Sequence, residues 1–387
     1  MTTTTPTDTA IACSVLVPVY NEQRYIHDSV AAMRRQRFPG ELEFLFADGG
    51  STDGTLEILH RLAHEDPRIR VLHNPGQTVS SGLNVALRHA RGRWALRMDA
   101  HTVYPDDYAL AGVRRLEQGG TPWVSGPQVP IGDGPVSRAV ALALSGAIGR
   151  GGSRKWSRDG AGGEAEFELD TGVFAGVWER GTLIEHGGWD ERWVVNEDSE
   201  MAARFLERGE LLICLPAMAA RYAPRDSLLG LWRQYLRYGE FRARTSRRHP
   251  GSMRASHLLA PGVVVAAAAA VVAPRRIRRM ARLGQAAYAA SLVRSGLRCA
   301  PAADTGAEAA LVPVALLVMH FAHGAGQLRG WLRYGPPLRA VAVLLGLAGA
   351  PGPEEGEPVY APSLWAGQGP AAQRAAVASG GSESSAG

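Results

Sequence analysis

The chain is poor in cysteine, and Cys13, Cys214 and Cys299 lie far apart with no CxxC pair among them. That excludes a disulfide framework and a thiolate zinc site, and it suits a reducing compartment. No GxGxxG follows the first apolar run, which counts against a dinucleotide-dependent oxidoreductase. Cys214 and Ser199 have no histidine at a spacing that suggests a nucleophile and its base, so a hydrolase triad is a poor reading. Residues 1–10 are rich in Thr, with no basic residue and no apolar stretch. They do not read as a secretory signal, so they are expected to be a disordered N-terminus ahead of a domain on the cytoplasmic side. There is no internal repeat, and no nucleic-acid-binding module accompanies the basic residues, so nucleic acid is not an expected partner.

What is present in 387 residues is enough for one α/β domain and an appendage. From Ile11 to about Gly126, short apolar runs alternate with helical periodicity, the signature of a parallel sheet built from βαβ units. Cys13–Val19, Leu42–Phe46, Ile69–Leu72 and Trp94–Met98 read as strands. Apolar stripes such as Leu56, Leu59, Leu62 and Val79, Leu83, Leu87 read as helices between them. Pro105 suits the first turn of a further helix. The Gly-rich segment from Gly149 to Gly163, with Arg150, Arg154, Lys155 and Arg158, reads as a basic loop. A helix is expected from about Glu197 to Arg208, ended by Gly209.

Ala255–Ala273 has no Lys, Arg, Asp or Glu and is long enough to span a hydrocarbon core. Ala309–Gln327 is a second candidate, interrupted by His320 and His323. Arginines from Arg242 to Arg254 and from Arg275 to Arg282 flank the first candidate on both sides. This favours contact with anionic lipid headgroups, with an interfacial hairpin as the rival to a simple crossing. The expected organisation is a catalytic domain over 11–250, a membrane-associated helical region over 251–350, and a disordered Gly-, Pro- and Ser-rich tail over 351–387.

Ligands of open parallel sheets sit beyond the carboxyl ends of the strands. Three predicted strands end there in polar residues: Pro18-Val19-Tyr20-Asn21-Glu22, then Asp48-Gly49-Gly50-Ser51-Thr52-Asp53-Gly54, then Asp99-Ala100-His101. Asp53 alone could be a helix cap and Asp48 a turn former, but their joint placement on one edge points to a nucleotide. Asp99 and His101, at i and i+2 past a strand end, can reach one cation and its bound diphosphate. Carboxylate oxygen with imidazole nitrogen suits Mn²⁺ well and Mg²⁺ acceptably.

These strings, with Arg97-Met98 before Asp99, Gly188-Trp189-Asp190-Glu191, Asn196-Glu197-Asp198 and Gln234-Tyr235-Leu236-Arg237-Tyr238, resemble family 2 inverting glycosyltransferases of the GT-A fold. The resemblance covers about residues 11–250. The Asp-Ala-His form and the Arg-rich apolar C-terminal region look most like the branch acting in succinoglycan-type exopolysaccharide synthesis. It implies a Rossmann-like, mostly parallel sheet flanked by helices. It also implies that Pro18 and Glu22, beside Tyr20, shape the nucleotide pocket and that Asp48 and Asp53 bind the base and ribose side. Asp99 becomes the metal-associated acid and Asp198 the catalytic base. Gln234, Arg237 and Tyr238 match a QxxRW element that lies near acceptor and diphosphate in polymerising members. Tyr238 replaces its Trp, and His101 stands where many members have Asp.

Inverting transfer is one in-line displacement at the anomeric carbon, needing a base on one face and a stabilised leaving group on the other. Asp198 begins a predicted helix, whose dipole favours a carboxylate there. The expected activity is therefore transfer from a nucleotide sugar, with UDP-sugar as the family default. The acceptor is lipid-linked or a saccharide, and the enzyme sits on the cytoplasmic face of the cell membrane. Alternatives are a processive polysaccharide synthase and a non-catalytic nucleotide-sugar- or glycan-binding membrane component.

Overall fold

The computed structural model describes residues 11–151, 153–156, 165–350, 352 and 358–367. The expected disorder of residues 1–10, and of most of 351–387, falls outside the described residues.

In chain order the first half runs β1 Ile11–Val19, α1 Ile26–Arg34, β2 Glu41–Asp48, α2 Thr55–Glu65, β3 Ile69–His73, α3 Val79–His89 and β4 Trp94–Arg97. It continues with β5 Thr102–Val103, α4 Tyr108–Glu117, β6 Trp123–Ser125, β7 Gln128–Pro130 and α5 Pro135–Ser145. The second half has β8 Phe167–Glu168, β9 Gly176–Glu179, α6 Arg180–Glu185, α7 Glu197–Glu207, β10 Leu212–Cys214 and β11 Ala220–Tyr222. Helices then take over: α8 Leu228–Arg248, α9 Ser256–Val272, α10 Arg275–Cys299, α11 Gly306–Tyr334, α12 Leu338–Leu344 and α13 Pro362–Trp365.

The main sheet has the order β3-β2-β1-β4-β9-β6-β10-β8. Strands β1 to β4 pair in parallel, while β9 runs antiparallel between β4 and β6. A small second sheet, β5-β11-β7, stands at the edge. This is the mostly parallel GT-A arrangement expected from the sequence, with the antiparallel insertions added. Strand β1 is apolar almost throughout because both its faces are covered. Val15, Val17, Phe44 and Leu96 pack on one side with α1 and α4, and Leu16, Leu45 and Ala95 on the other with α3 and α7.

Helix starts follow local chemistry. Thr78 and Ser81 form a capping box at α3, and the side chains of Ser227 and Thr305 cap α8 and α11. Pro105 lies just before α4 rather than in its first turn, where its carbonyl accepts from Tyr108 N at 3.0 Å. Gly209 does end its helix in a left-handed conformation, φ 75°.

The C-terminal helices share a core with the catalytic part rather than hanging from it. Val140, Leu142 and Leu144 of α5 and Leu231 of α8 pack with Leu292, Val312, Leu316 and Met319. Helices α8 and α11 approach so closely that a side chain at Gly239 would strike the His323 carbonyl. The order of the two candidate spans is reversed. Among the described residues only α11, 29 residues long with a mean hydropathy of 1.6, is long and apolar enough to cross a membrane, and 39% of that window is buried inside the protein. Helix α9, on the stretch expected first, is a shorter apolar helix of 17 residues.

The tail also departs from expectation. Residues 358–367 return to the domain because Leu364 and Trp365 supply apolar side chains that bury against α3. There Tyr360 O accepts from Glu191 N at 2.7 Å, and Ser363 donates to the Glu191 carboxylate.

Candidate active site

A cleft of about 1570 Å³ opens beyond the carboxyl ends of β1 and β4 and is closed from the far side by α8, α9, α10 and α11. Tyr20, Glu22, Asp99, His101, Asp198, Gln234 and Arg237 all line it. Pro18, Asp48 and Asp53 do not. Pro18 is half-buried inside β1. The Asp48 carboxylate accepts from Gly50 N and Ser51 N and from Ser51 Oγ at 2.6 Å. Asp53 accepts from Gln23 N at 3.1 Å and Thr55 N at 3.0 Å. Burial would raise the Asp53 pKa, but donors from Thr55 and Gln23 win and hold it below the usual carboxylate range. Asp53 thus ties the 20–23 loop to the 48–55 loop while Asp48 braces the second loop from within, and the loops in turn present Tyr20 and Glu22.

Arg97, at the end of β4, is 3% exposed and joins two motifs that are 100 residues apart. Its Nε and Nη2 donate to the two oxygens of Asp99 at 2.8 and 3.2 Å, and Nη1 donates to Glu197 at 3.0 Å. Burial would discharge the guanidinium, but the two carboxylates outweigh it and keep the group charged. Glu197 is pushed up, by burial first and by neighbouring Asp198, against the pull of Arg97.

Asp198 owes its position to Asn196, which adopts a left-handed conformation, φ 60°, that asparagine tolerates well. The Asn196 side chain donates to Tyr238 O at 3.0 Å, and the next residues form the first turn of α7. A side chain at Gly172 would collide with the Asp198 carbonyl, so glycine lets the 170–172 loop press against this turn. Lys155 Nζ, donating to Gly172 O at 2.7 Å, stands 3.6 Å from Asp198 Oδ2. Tyr238 accepts from Gln234 Nε2 at 2.9 Å. Burial, with Asp198 and Glu197 nearby, pushes the Tyr238 hydroxyl up to about 12, so it stays protonated.

Asp99 and His101 present a donor set that fits a divalent cation with help. Each Asp99 oxygen accepts one bond from Arg97 and keeps lone-pair capacity. His101 meets Glu22 through Nδ1 at 3.0 Å, and among the described residues its Nε2 has no hydrogen-bond partner. Burial lowers the His101 pKa, yet Glu22 and Asp99 win and raise it, so a cation would have to displace a proton. Among the described residues no group of three His, Cys, Asp or Glu side chains could hold a metal alone. The remaining ligands would therefore come from the diphosphate of a bound nucleotide.

Sequence reasoning missed three residues here. Arg97 was quoted only as part of a motif, and an arginine inside an apolar strand was the available signal. In sequence Lys155 is one charge among several in the Gly149–Gly163 loop, whose residues 152 and 157–163 lie outside the described residues. Arg225, which lines the cleft and acts electrostatically on His101, carried no signal.

The profile described as Glycosyl transferase family 2 matches residues 14–161. The chain is 30% identical to succinoglycan biosynthesis protein ExoA of Rhizobium meliloti over 335 residues, 84% of this chain and 97% of that protein. It is 23% identical over 235 residues to the dolichyl N-acetyl-alpha-D-glucosaminyl phosphate 3-beta-D-2,3-diacetamido-2,3-dideoxy-beta-D-glucuronosyltransferase of Methanococcus voltae, 58% of this chain and 71% of that one. Among solved structures, the mannosyltransferase PcManGT of Pyrobaculum calidifontis, in complex with GDP-Man and Mn2+, superposes with a TM-score of 0.47 at 19% identity, covering 88% of this chain and 90% of that one.

Proposed function

The chain belongs to glycosyltransferase family 2, and from that premise we propose that it is an inverting, metal-dependent enzyme of exopolysaccharide or cell-envelope glycan synthesis. It moves a sugar from a nucleoside-diphosphate sugar, UDP-sugar by default, to a lipid-linked or saccharide acceptor. The observation that supports this reading is the Arg97 bridge, which ties Asp99 and the Glu197-Asp198 turn to one buried guanidinium in a single cleft.

On this reading the donor lies along the strand ends, with Tyr20 and Glu22 beside it and Gln234 and Arg237 closing over its diphosphate. Asp99 and His101 would hold Mn²⁺ or Mg²⁺, which supplies charge neutralisation for the departing diphosphate. Asp198 accepts the proton of the acceptor hydroxyl as that oxygen attacks the anomeric carbon from the face opposite the leaving group. Lys155 keeps the Asp198 carboxylate aimed into the cleft, and Tyr238, protonated, cannot compete as a base.

The test is a screen for nucleoside diphosphate release with a panel of nucleotide sugars, with and without Mn²⁺. Turnover is expected with one donor class, and chelator is expected to abolish it. D99N should be nearly inactive, and H101A only weakened or altered in metal preference. Full wild-type activity in excess chelator would remove the metal.

Membrane attachment belongs to the same proposal. Helices α9 and α10 expose Leu259, Val271, Val272, Ile277, Met280 and Leu283, with Arg275, Arg276, Arg278, Arg279 and Arg282 among them. An apolar face rimmed by arginine suits a bilayer interface with anionic headgroups. The full chain should stay in the membrane pellet after carbonate washing, and the V271D/M280D pair should move it toward the soluble fraction. A wild-type chain found mainly in the soluble fraction would sink the interface.

A further inference from the structure

Among the described residues, the Asp198 side of the cleft carries more positive charge than its carboxylates neutralise. Lys155, Arg242 and Arg254 line it on the side of Asp198. Arg254 is paired with the exposed Asp170 at 2.8 Å. Arg242 has no carboxylate within 4.0 Å among the described residues, and its one hydrogen bond runs from Nη2 to Ser199 Oγ at 3.2 Å. Burial drives the Arg242 pKa down to about 10, and Arg254 beside it pushes the same way, against the weaker pull of Asp198 and Asp170. Lys155 is lowered by burial too, with Arg242 and Arg254 adding to it and Asp198 opposing. A guanidinium with five donors, one of them used among the described residues, standing beside two other cations with no described carboxylate in ion-pair reach, is a site that a ligand anion would complete.

Which anion follows from the direction of the chemistry. In an in-line displacement the acceptor and its base stand on the face opposite the leaving diphosphate. The three cations cluster with Asp198, whereas Arg225 and His101 serve the Asp99 end. The cluster therefore faces the acceptor. The helical wall beside it is mixed: Leu144, Ile148, Leu259, Ala260, Val263 and Met319 supply apolar surface, with His257, Tyr288, His320 and His323 among them. Leu259 belongs to α9, the helix whose outer surface is largely exposed and apolar.

We propose that Lys155, Arg242 and Arg254 form a phosphate-binding subsite for the acceptor, which is a sugar phosphate carried on a hydrocarbon chain. The sugar hydroxyl lies at Asp198, the phosphate on the three cations, and the chain along Leu259, Val263 and Met319 toward the exposed hairpin. This rests on Asp198 being the base of the proposed reaction.

The experiment uses the full chain in detergent and four probes: decyl phosphate, decyl glucoside, inorganic phosphate and UDP, each titrated calorimetrically. Decyl phosphate is expected to bind about tenfold or more tightly than decyl glucoside or inorganic phosphate. R242Q and, separately, K155Q should weaken decyl phosphate by about tenfold each, R242K should restore most of it, and UDP affinity should hold. Thermal melting of each variant shows whether it is folded, and K155Q carries the test if R242Q is not. Equal binding of inorganic phosphate would remove the hydrocarbon from the proposal. Loss of UDP affinity in step with decyl phosphate would assign the cations to the donor and overturn the subsite. A wild type that binds decyl phosphate but no nucleotide of any kind would instead overturn the function proposed above.

Discussion

At the donor edge each carboxylate meets donors from its own domain: Asp48 the Gly50 and Ser51 amides, Asp53 Gln23 and Thr55, Glu22 His101, and Asp99 Arg97. At the acceptor end the balance is opposite, since Arg242 finds one hydroxyl and Lys155 a backbone carbonyl and a carboxylate 3.6 Å away. The first wall is finished before any ligand arrives, and its polar groups cost little to keep in place. The second keeps desolvated cations short of partners, which is tolerated where binding of a ligand repays it. Rigidity at one wall and unmet charge at the other suit a reaction in which the donor is oriented first and the acceptor is selected by charge.

The largest expected effect tests the divide itself. Asp198 sits where the walls meet, so D198N should lower transfer by roughly two to four orders of magnitude and leave nucleotide-sugar affinity near wild type. Calorimetry beside a transfer assay checks both halves. A variant that keeps most of its turnover would take Asp198 out of the mechanism and leave the two walls without a shared reacting centre.

Next comes the strut between the motifs. R97M leaves Asp99 and Glu197, with side chains 14% and 10% exposed, facing each other without their cation. Loss of one partner from a buried ion network costs about 3–5 kcal/mol. Urea unfolding should show that loss, together with loss of transfer activity. A variant as stable as wild type would mean that the donor wall does not depend on its internal pairing, and the contrast drawn above would fail.

The donor wall is also the part that could be read from sequence. Its acids follow strands whose periodicity is plain, and a strand end fixes where the next two or three residues point. The acceptor wall could not be read so directly. Lys155 meets Asp198 there, and Arg97 reaches across from the donor wall to Glu197, only because the sheet order sets β4 beside β9 and brings α7 over the cleft. Such pairings are a property of topology rather than of spacing. The helices show the same limit. His320 and His323 looked like interruptions of an apolar span, yet both line the cleft, and His320 Nδ1 meets the Tyr288 hydroxyl at 2.9 Å. Hydropathy counted them against α11, while the fold uses them as polar lining of a helix that is otherwise apolar.

The smallest expected effect concerns the C-terminal end of α8, where it is tied to α7 away from the chemistry. His249 is 4% exposed at its side chain, with Nδ1 2.7 Å from Glu207 and Nε2 3.3 Å from Glu200. Burial alone would discharge the ring, but bonds to Glu200 and Glu207 outweigh it and raise the pKa above the ordinary 6.5. A raised folded-state pKa gives stability that is fully present below the unfolded value and is lost as pH climbs through the folded value. H249Q should therefore be less stable than wild type by about 1.5–3 kcal/mol near pH 6, the range for a hydrogen bond to a charged group. The gap should shrink as pH is raised through the folded-state pKa, where wild type loses the same proton. Glu200 behaves oppositely: burial pushes it up, but Arg204, His249 and Arg248 hold it down at about 2, so its share survives until strong acid. Melting temperatures of both proteins across this range decide the matter. A gap that is constant with pH would mean that His249 is held neutral and contributes only packing, and the charged tie between α7 and α8 would then rest on Arg248 and Glu200.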